Sequence, residues 1–306
     1  MLSKPVLAKT DDREKRAQIN SYCGDPEGWF DSRYFRDQGI YATSFDFLVN
    51  WEDEKVCDEV WMKRISNSDD IHSKTKEQLM QLITDCDGNE KTSRLYGFLR
   101  SQGMTGKYML FRDVPEQDWH SRKEKIVEVE LAGSGAGAVS SYNAVEIQEK
   151  IRRLRRTPAS IGKHGLVYST STLEGYLSKQ HYFWPGDADT VLYDDKNNVA
   201  AVLEFKKHTA SSKKPFKDQR LSNYLEDDIL KYKSLALLRD RFKTALYVIY
   251  YPIPTDIRYI IVEKIEGTPD NLRAVNRWEI KLPDQSKTED MAAFAKEFMT
   301  RVVNGR

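Results

Sequence analysis

Cysteine is scarce: Cys23, Cys57 and Cys86 are the only thiols among 306 residues, and no two of them form a C-x-x-C pair. That excludes a disulfide framework, and a four-ligand zinc or iron–sulfur site built from this chain alone. The five histidines show neither H-x-H nor H-E-x-x-H spacing, and there is no G-x-S-x-G elbow and no G-x-x-x-x-G-K-[ST] phosphate loop. No apolar run approaches the roughly 20 residues that cross a bilayer, and the first twenty residues lack the apolar centre of a secretory signal. A soluble protein of a reducing, cytoplasmic compartment is expected, with no membrane partner. Excess charge of one sign is missing as well: the formal net charge is +1, so any affinity for a polyanion must come from local clusters.

What the chain does have is a 40% hydrophobic composition, enough for a substantial core in one elaborated domain or two. Apolar spacing predicts helices over 74–85 and 90–102, and alternation predicts strands over 107–114 and 125–132. The glycine-rich piece 133–138 follows. Gly133, Gly135 and Ala138 fit a loose dinucleotide pattern, but the strand before it alternates with Glu128 and Glu130 instead of running apolar. Where that pattern needs an acid, about 20 residues on, stand Arg152, Arg153, Arg155 and Arg156. The piece reads as a flexible hinge, with a domain boundary between 1–138 and 139–306.

An amphipathic helix is expected over 142–156, with Val145, Ile147, Ile151 and Leu154 as its apolar stripe and the arginines elsewhere. A second basic cluster comprises Lys206, Lys207, Lys213, Lys214, Lys217 and Arg220, with His208 among them. Each alone reads as a solvated face. Flanking one site, the two favour a polyanionic substrate. Tyr168, Tyr182, Phe183 and Trp184 are aromatics of the kind that stack on bases, although such residues more often belong to a core.

Between the clusters lies PGDADTVLYDDKNNVAAVLEFKKH, residues 185–208. Residues 189–193 and 199–206 read as two strands joined by a polar turn at 194–198. Residues two apart on a strand share a face, so Glu204 and Lys206 point one way and Leu203 and Phe205 the other. If the start of the first strand pairs with the end of the second, Asp189 meets Glu204 and Lys206. Two carboxylates so close repel unless a cation sits between them, and hard oxygen ligands suit Mg2+, with Mn2+ as a substitute. A lysine beside the ion can orient a water or hold a phosphate oxygen. Asp187, two residues before Asp189, shares its face and competes for the same role.

At these residues the sequence resembles the PD-(D/E)XK nuclease superfamily: Pro185, Gly186 and Asp187 precede Asp189, which heads the first strand, and Glu204-Phe205-Lys206 supplies the ExK. The resemblance covers about residues 141–265 and implies a mixed α/β fold. Its restriction-endonuclease-like α-β-β-β-α-β core has a central mixed sheet flanked by helices, and an N-terminal α+β region precedes it. It further implies that Asp189 and Glu204, with Phe205 between them in the ligand set, bind Mg2+, and that Lys206 assists the attacking water. Glu174, or else Glu146, would be the further glutamate that a preceding helix contributes. The helix after ExK, expected over 221–239, keeps only Tyr232 of the Q-x-x-x-Y motif found in some branches; Asp228 stands in place of its glutamine.

The expected function is a Mg2+-dependent nuclease, an endonuclease among the choices, acting on DNA. Lys207, His208, Lys213, Lys214, Arg152, Arg153, Arg155 and Arg156 are the expected nucleic-acid contacts, and a homodimer is an open possibility. The alternative of another class is a non-catalytic nucleic-acid-binding or assembly protein on a nuclease-like fold.

Overall fold

A computed structural model describes residues 1–121, 123–133, 135–156, 166–182 and 184–305. Phe183 and His164 therefore lie outside the described residues, as does Ser134 of the glycine-rich piece. The fold is mixed α/β, with mixed sheets flanked by helices. Contacts divide the chain into two units, Met1–Ala17 with Asp46–Gly186 and Gln18–Phe45 with Asp187–Arg306. Among the described residues no helix is long and apolar enough to cross a membrane.

In the first unit, the strand Lys55–Ser66 pairs antiparallel with the end of Ile40–Asn50 and parallel with Thr105–Phe111. A parallel pair needs a crossover, which the helices Lys76–Asp87 and Asn89–Ser101 provide. Thr75 starts the first of them: its hydroxyl accepts from the Gln78 amide while the Gln78 side chain accepts from the Thr75 amide. The sheet continues antiparallel through Ile126–Ala132 and Gly135–Tyr142. Trp61, Phe111, Trp119, Ile147, Ile151 and Leu177 share one buried core there.

Two expectations change in this unit. The glycine-rich piece is not a hinge, because Gly135–Tyr142 is a paired strand, and a Cβ on Gly137 would come within 3.0 Å of Glu130. The division by contacts puts residues on both sides of 138/139 in the first unit. The arginine-rich helix Ala144–Arg155 packs into the first unit's core instead of opening a C-terminal domain.

In the second unit the sheet runs Asn271–Lys281, Tyr259–Thr268, Ala245–Pro252, Val199–His208 and Gly186–Asp194, followed by Ile40–Phe45. Val199–His208 and Ala245–Pro252 are parallel and are joined through the helix Ile229–Phe242. The pairs Gly186–Asp194 with Val199–His208, Ala245–Pro252 with Tyr259–Thr268, and Tyr259–Thr268 with Asn271–Lys281 are antiparallel. One sheet face carries Leu192, Ala201, Leu203, Ile249 and Val262. It packs with Trp29 and Phe35 from the short helices Pro26–Trp29 and Ser32–Phe35, with Phe30 between them, and with Phe294 and Phe298 from the last helix, Thr288–Glu297, and its continuation.

The crossover helix begins at Ile229, eight residues later than expected. Ahead of it, Leu221–Asn223 is a single 3-10 turn, held because the buried Glu263 carboxylate accepts from the Leu221 amide at 2.8 Å.

Candidate functional site

The hairpin Gly186–Asp194/Val199–His208 forms through local turn chemistry. The Asp194 carboxylate accepts from the amides of Lys196 at 2.9 Å and Asn198 at 2.8 Å, and Asn197 takes the left-handed conformation that asparagine tolerates. Thr190 pairs with Leu203, so the next residues along the ladder, Asp189 and Glu204, oppose each other and share a face. Phe205 turns to the other face, packing on the aromatic core.

Asp189 is half-buried, and its Oδ2 accepts from the Phe205 amide at 2.6 Å. Burial, and next the charge of Glu204, push the Asp189 carboxyl well above the ordinary carboxylate range, while Lys231 pulls the other way. Glu204 is fully buried, and neither of its oxygens has an aligned hydrogen bond among the described residues. Two ammonium groups approach Oε1 at ion-pair distance without that alignment: Lys231 Nζ at 2.8 Å and Lys206 Nζ at 3.4 Å. The hairpin thus brings together the three residues expected to meet.

The crossover helix adds what sequence reasoning missed. Lys206 Nζ donates to Asp228 at 2.8 Å and lies 5.3 Å from the ring centroids of both Tyr224 and Tyr232. Lys231 Nζ also stands 3.1 Å from Asp187 Oδ1, so the competing acid is engaged by that lysine. Its three neighbouring carboxylates outweigh burial and hold the Lys231 ammonium well above its ordinary range. Asp228, Lys231 and Tyr232 sit at i, i+3 and i+4 on one helix face, a spacing that is visible in the sequence. Burial, and after it the charges of Asp189, of Asp25 and Glu27 at the short helix Pro26–Trp29, and of Glu204, push the half-buried Tyr251 hydroxyl up.

Several expected contacts are held elsewhere. Glu174 is buried in the first unit, bonded to Lys63 and accepting from Thr170 Oγ1 at 2.6 Å. Glu146 completes the N-terminal cap of its own helix with Asn143. His208 is a core histidine: its Nε2 meets the Lys214 carbonyl at 3.0 Å and its ring stands edge-on to Phe216.

Lys214 donates to Asn223, Lys207 is half-buried, and Lys213 is exposed. Arg152 pairs with Glu149 and Arg156 with Glu52. Arg153 is exposed, and Arg155 is half-buried, its guanidinium pKa lowered by that burial. These arginines line a cavity of about 940 Å³ in the first unit, interleaved with Glu52, Glu146 and Glu149. The lysine cluster belongs to the second unit. Tyr182 and Trp184 pack on the first unit's core, with Trp184 donating to Asp46 at 2.7 Å, whereas Tyr168 is exposed.

Among the described residues, no group of three or more histidine, cysteine, aspartate or glutamate side chains is arranged to hold a metal ion. The donor set nevertheless suits a hard cation. Burial and the Glu204 charge disfavour a bare Asp189 carboxylate, and the Glu204 oxygens are buried without an aligned donor among the described residues. Compared with protein-family models, curated proteins and solved structures, the chain matches none.

Proposed function

We propose that the second unit is a metal-dependent nuclease that hydrolyses phosphodiester bonds of nucleic acid, with DNA as its substrate. One observation carries the reading: Asp189 and Glu204 stand one residue past the Thr190–Leu203 pair on adjacent strands, near enough for the Glu204 charge to act on Asp189, with the lysines of the ExK strand and of the crossover helix at the Glu204 carboxylate. The connectivity of the unit supports it. A strand pair bearing the acids, a helical crossover and a parallel strand beside the ExK strand follow the restriction-endonuclease-like plan. In this reading the short helices Pro26–Trp29 and Ser32–Phe35, which belong to the same unit, stand in for the first helix of that plan in place of Ala144–Arg155.

In this reading Asp189, Glu204 and the carbonyl of Phe205 hold Mg2+, or Mn2+ in its place. A bound divalent ion supplies positive charge to the phosphate oxygens and acidifies water. Hydrolysis forms one P–O bond from water and breaks one P–O ester bond, leaving a phosphomonoester and a hydroxyl. The Phe205 amide fixes the orientation of Asp189. Lys206, steadied by Asp228 and two tyrosine rings, donates to a phosphate oxygen or orients the attacking water. Lys213, Lys217 and Arg220, exposed on the segment after the ExK strand, receive the phosphate backbone.

Plasmid DNA incubated with Mg2+ or Mn2+ is expected to be cut by the wild type. Asp189→Ala and Lys206→Ala, still folded by circular dichroism, should each lose at least about 100-fold. One observation favours a second reading, a nucleic-acid-binding protein that does not cut: the cations nearest Glu204 are the chain's own lysines. Wild type that retains DNA yet cleaves none with either metal decides for that reading.

A further inference from the structure

The two units repeat one plan. In the first, Asp46 is paired with Trp61 across antiparallel strands, and Lys63 follows two residues later. In the second, the ladder that pairs Thr190 with Leu203 sets Asp189 opposite Glu204, and Lys206 follows two residues later. The spacing is the same: the opposing residue comes fifteen positions after the acid and the lysine seventeen.

Each second strand then leads through a helical crossover to a parallel partner, Thr105–Phe111 in one unit and Ala245–Pro252 in the other. Two antiparallel strands follow in each case, and then a helix, Ala144–Arg155 or Thr288–Glu297. Two of the three unit boundaries also correspond, Phe45/Asp46 and Gly186/Asp187, just ahead of each acid. A shared order of five strands, with matching spacing at three positions of which two carry the same residue type, points to a tandem repeat.

The chemistry at matching positions differs. Trp61 stands where the second unit has Glu204. It is fully buried, its indole donates to Glu59 at 2.6 Å, and it offers no oxygen. Lys63 is buried too. Its ammonium bonds to Glu174 and to Thr170 Oγ1, the latter at 2.8 Å, and lies 3.5 Å from Asp46. Asp46 also accepts from the Trp184 indole at 2.7 Å, and Glu174 from the Thr170 amide at 2.9 Å. Both acids of the first unit are thus met by fixed donors, whereas the Glu204 oxygens have no aligned donor.

We propose that the chain is a tandem duplication whose first copy is a salt-locked counterpart of the second: Lys63 neutralises Asp46 and Glu174 where the second copy takes a divalent cation. The duplication stands on topology and register alone. Its description as a silent metal site rests on the nuclease reading of the second unit. In consequence the chain carries one metal centre.

Mn2+ alone is the probe. Calorimetric titration of the full chain is expected to saturate at one ion, and two ions per chain would overturn the proposal. In the Asp189→Asn/Glu204→Gln background, Mn2+ is expected to leave the melting temperature unchanged while Lys63 is present; a Mn2+-dependent rise there also overturns it. Adding Lys63→Met to that background should make the melting temperature climb with Mn2+ by at least about 3 °C. A chain that folds only with Mn2+ present gives the same answer. Lys63→Gln, which keeps a hydrogen-bonding head, serves if the methionine variant does not fold in either condition. A folded Lys63 variant indifferent to Mn2+ sinks the lock. Should the unaltered chain bind no Mn2+ while the Lys63 variant gains the response, the nuclease reading fails and the lock stands.

Discussion

Phe30 shows how a core residue reaches the site. Its ring stacks on Phe205 at 5.6 Å and on Phe35 at 5.7 Å, and meets Phe298 edge-on at 4.8 Å. Phe205 is the middle residue of the ExK, so this aromatic packing holds the strand that presents Glu204 and Lys206. Phe30→Ala should cost about 3–5 kcal/mol in urea unfolding, and should lower cleavage without touching a charged group. Lys231 gives a second prediction. Its loss leaves the buried Glu204 carboxylate with one cation fewer and removes a competitor for any metal. Lys231→Ala is expected to melt lower than wild type in metal-free buffer and to bind Mn2+ more tightly, both read by thermal shift across a Mn2+ series. At this scale the sequence was informative wherever the geometry is local. The two-residue period of a strand and the turn at 194–198 place Asp189, Glu204 and Lys206 together. Lys231, Asp228, Asp25 and Glu27 come from elements whose rotation and docking no local rule sets.

Among the elements, the hairpin Tyr259–Thr268/Asn271–Lys281 depends on one glycine. Gly267 has φ +105°, and a Cβ there would stand 2.0 Å from the Asn271 carbonyl oxygen. Gly267→Ala should therefore destabilise by more than about 1 kcal/mol, read as a lowered urea midpoint with unchanged slope. Periodicity located the helices Lys76–Asp87 and Asn89–Ser101 within two residues at each end. It failed where tertiary bonds overrode it. The residues ahead of Ile229 are held as turns by Glu263, whose other oxygen receives Arg277 at 2.8 Å. The glycine-rich 135–142 became a strand paired with Ile126–Ala132, with Gly137 leaving room for Glu130. Both outcomes depend on partners distant in sequence.

For the whole molecule, charge balance leads to two predictions. Asp87 is buried, which works against its charge, but Arg64 beside it and the Tyr108 hydroxyl, which donates at 2.7 Å, bring its pKa below the ordinary carboxylate value. A lowered folded pKa contributes stability above the unfolded value that is lost as pH falls through the folded one. Acid melting curves should therefore fall less steeply for Asp87→Asn, below about pH 4, than for wild type. With a net charge of +1 and few unpaired cations on the segment after the ExK strand, DNA binding should weaken only moderately with salt. The expected slope is about −2 to −4 in a log–log anisotropy series, at roughly −0.9 per phosphate neutralised. The sequence by itself determined the acid, acid, lysine hairpin, the mixed α/β class and most element types, because alternation and turn chemistry act between neighbours. Only the tertiary structure decided that the units divide at Ala17/Gln18, Phe45/Asp46 and Gly186/Asp187, that Glu174 belongs to Lys63, and that a helix lysine sits on Glu204. Those outcomes turn on which distant strands pair and which buried charges find partners, and burial makes such pairing obligatory without naming the partner.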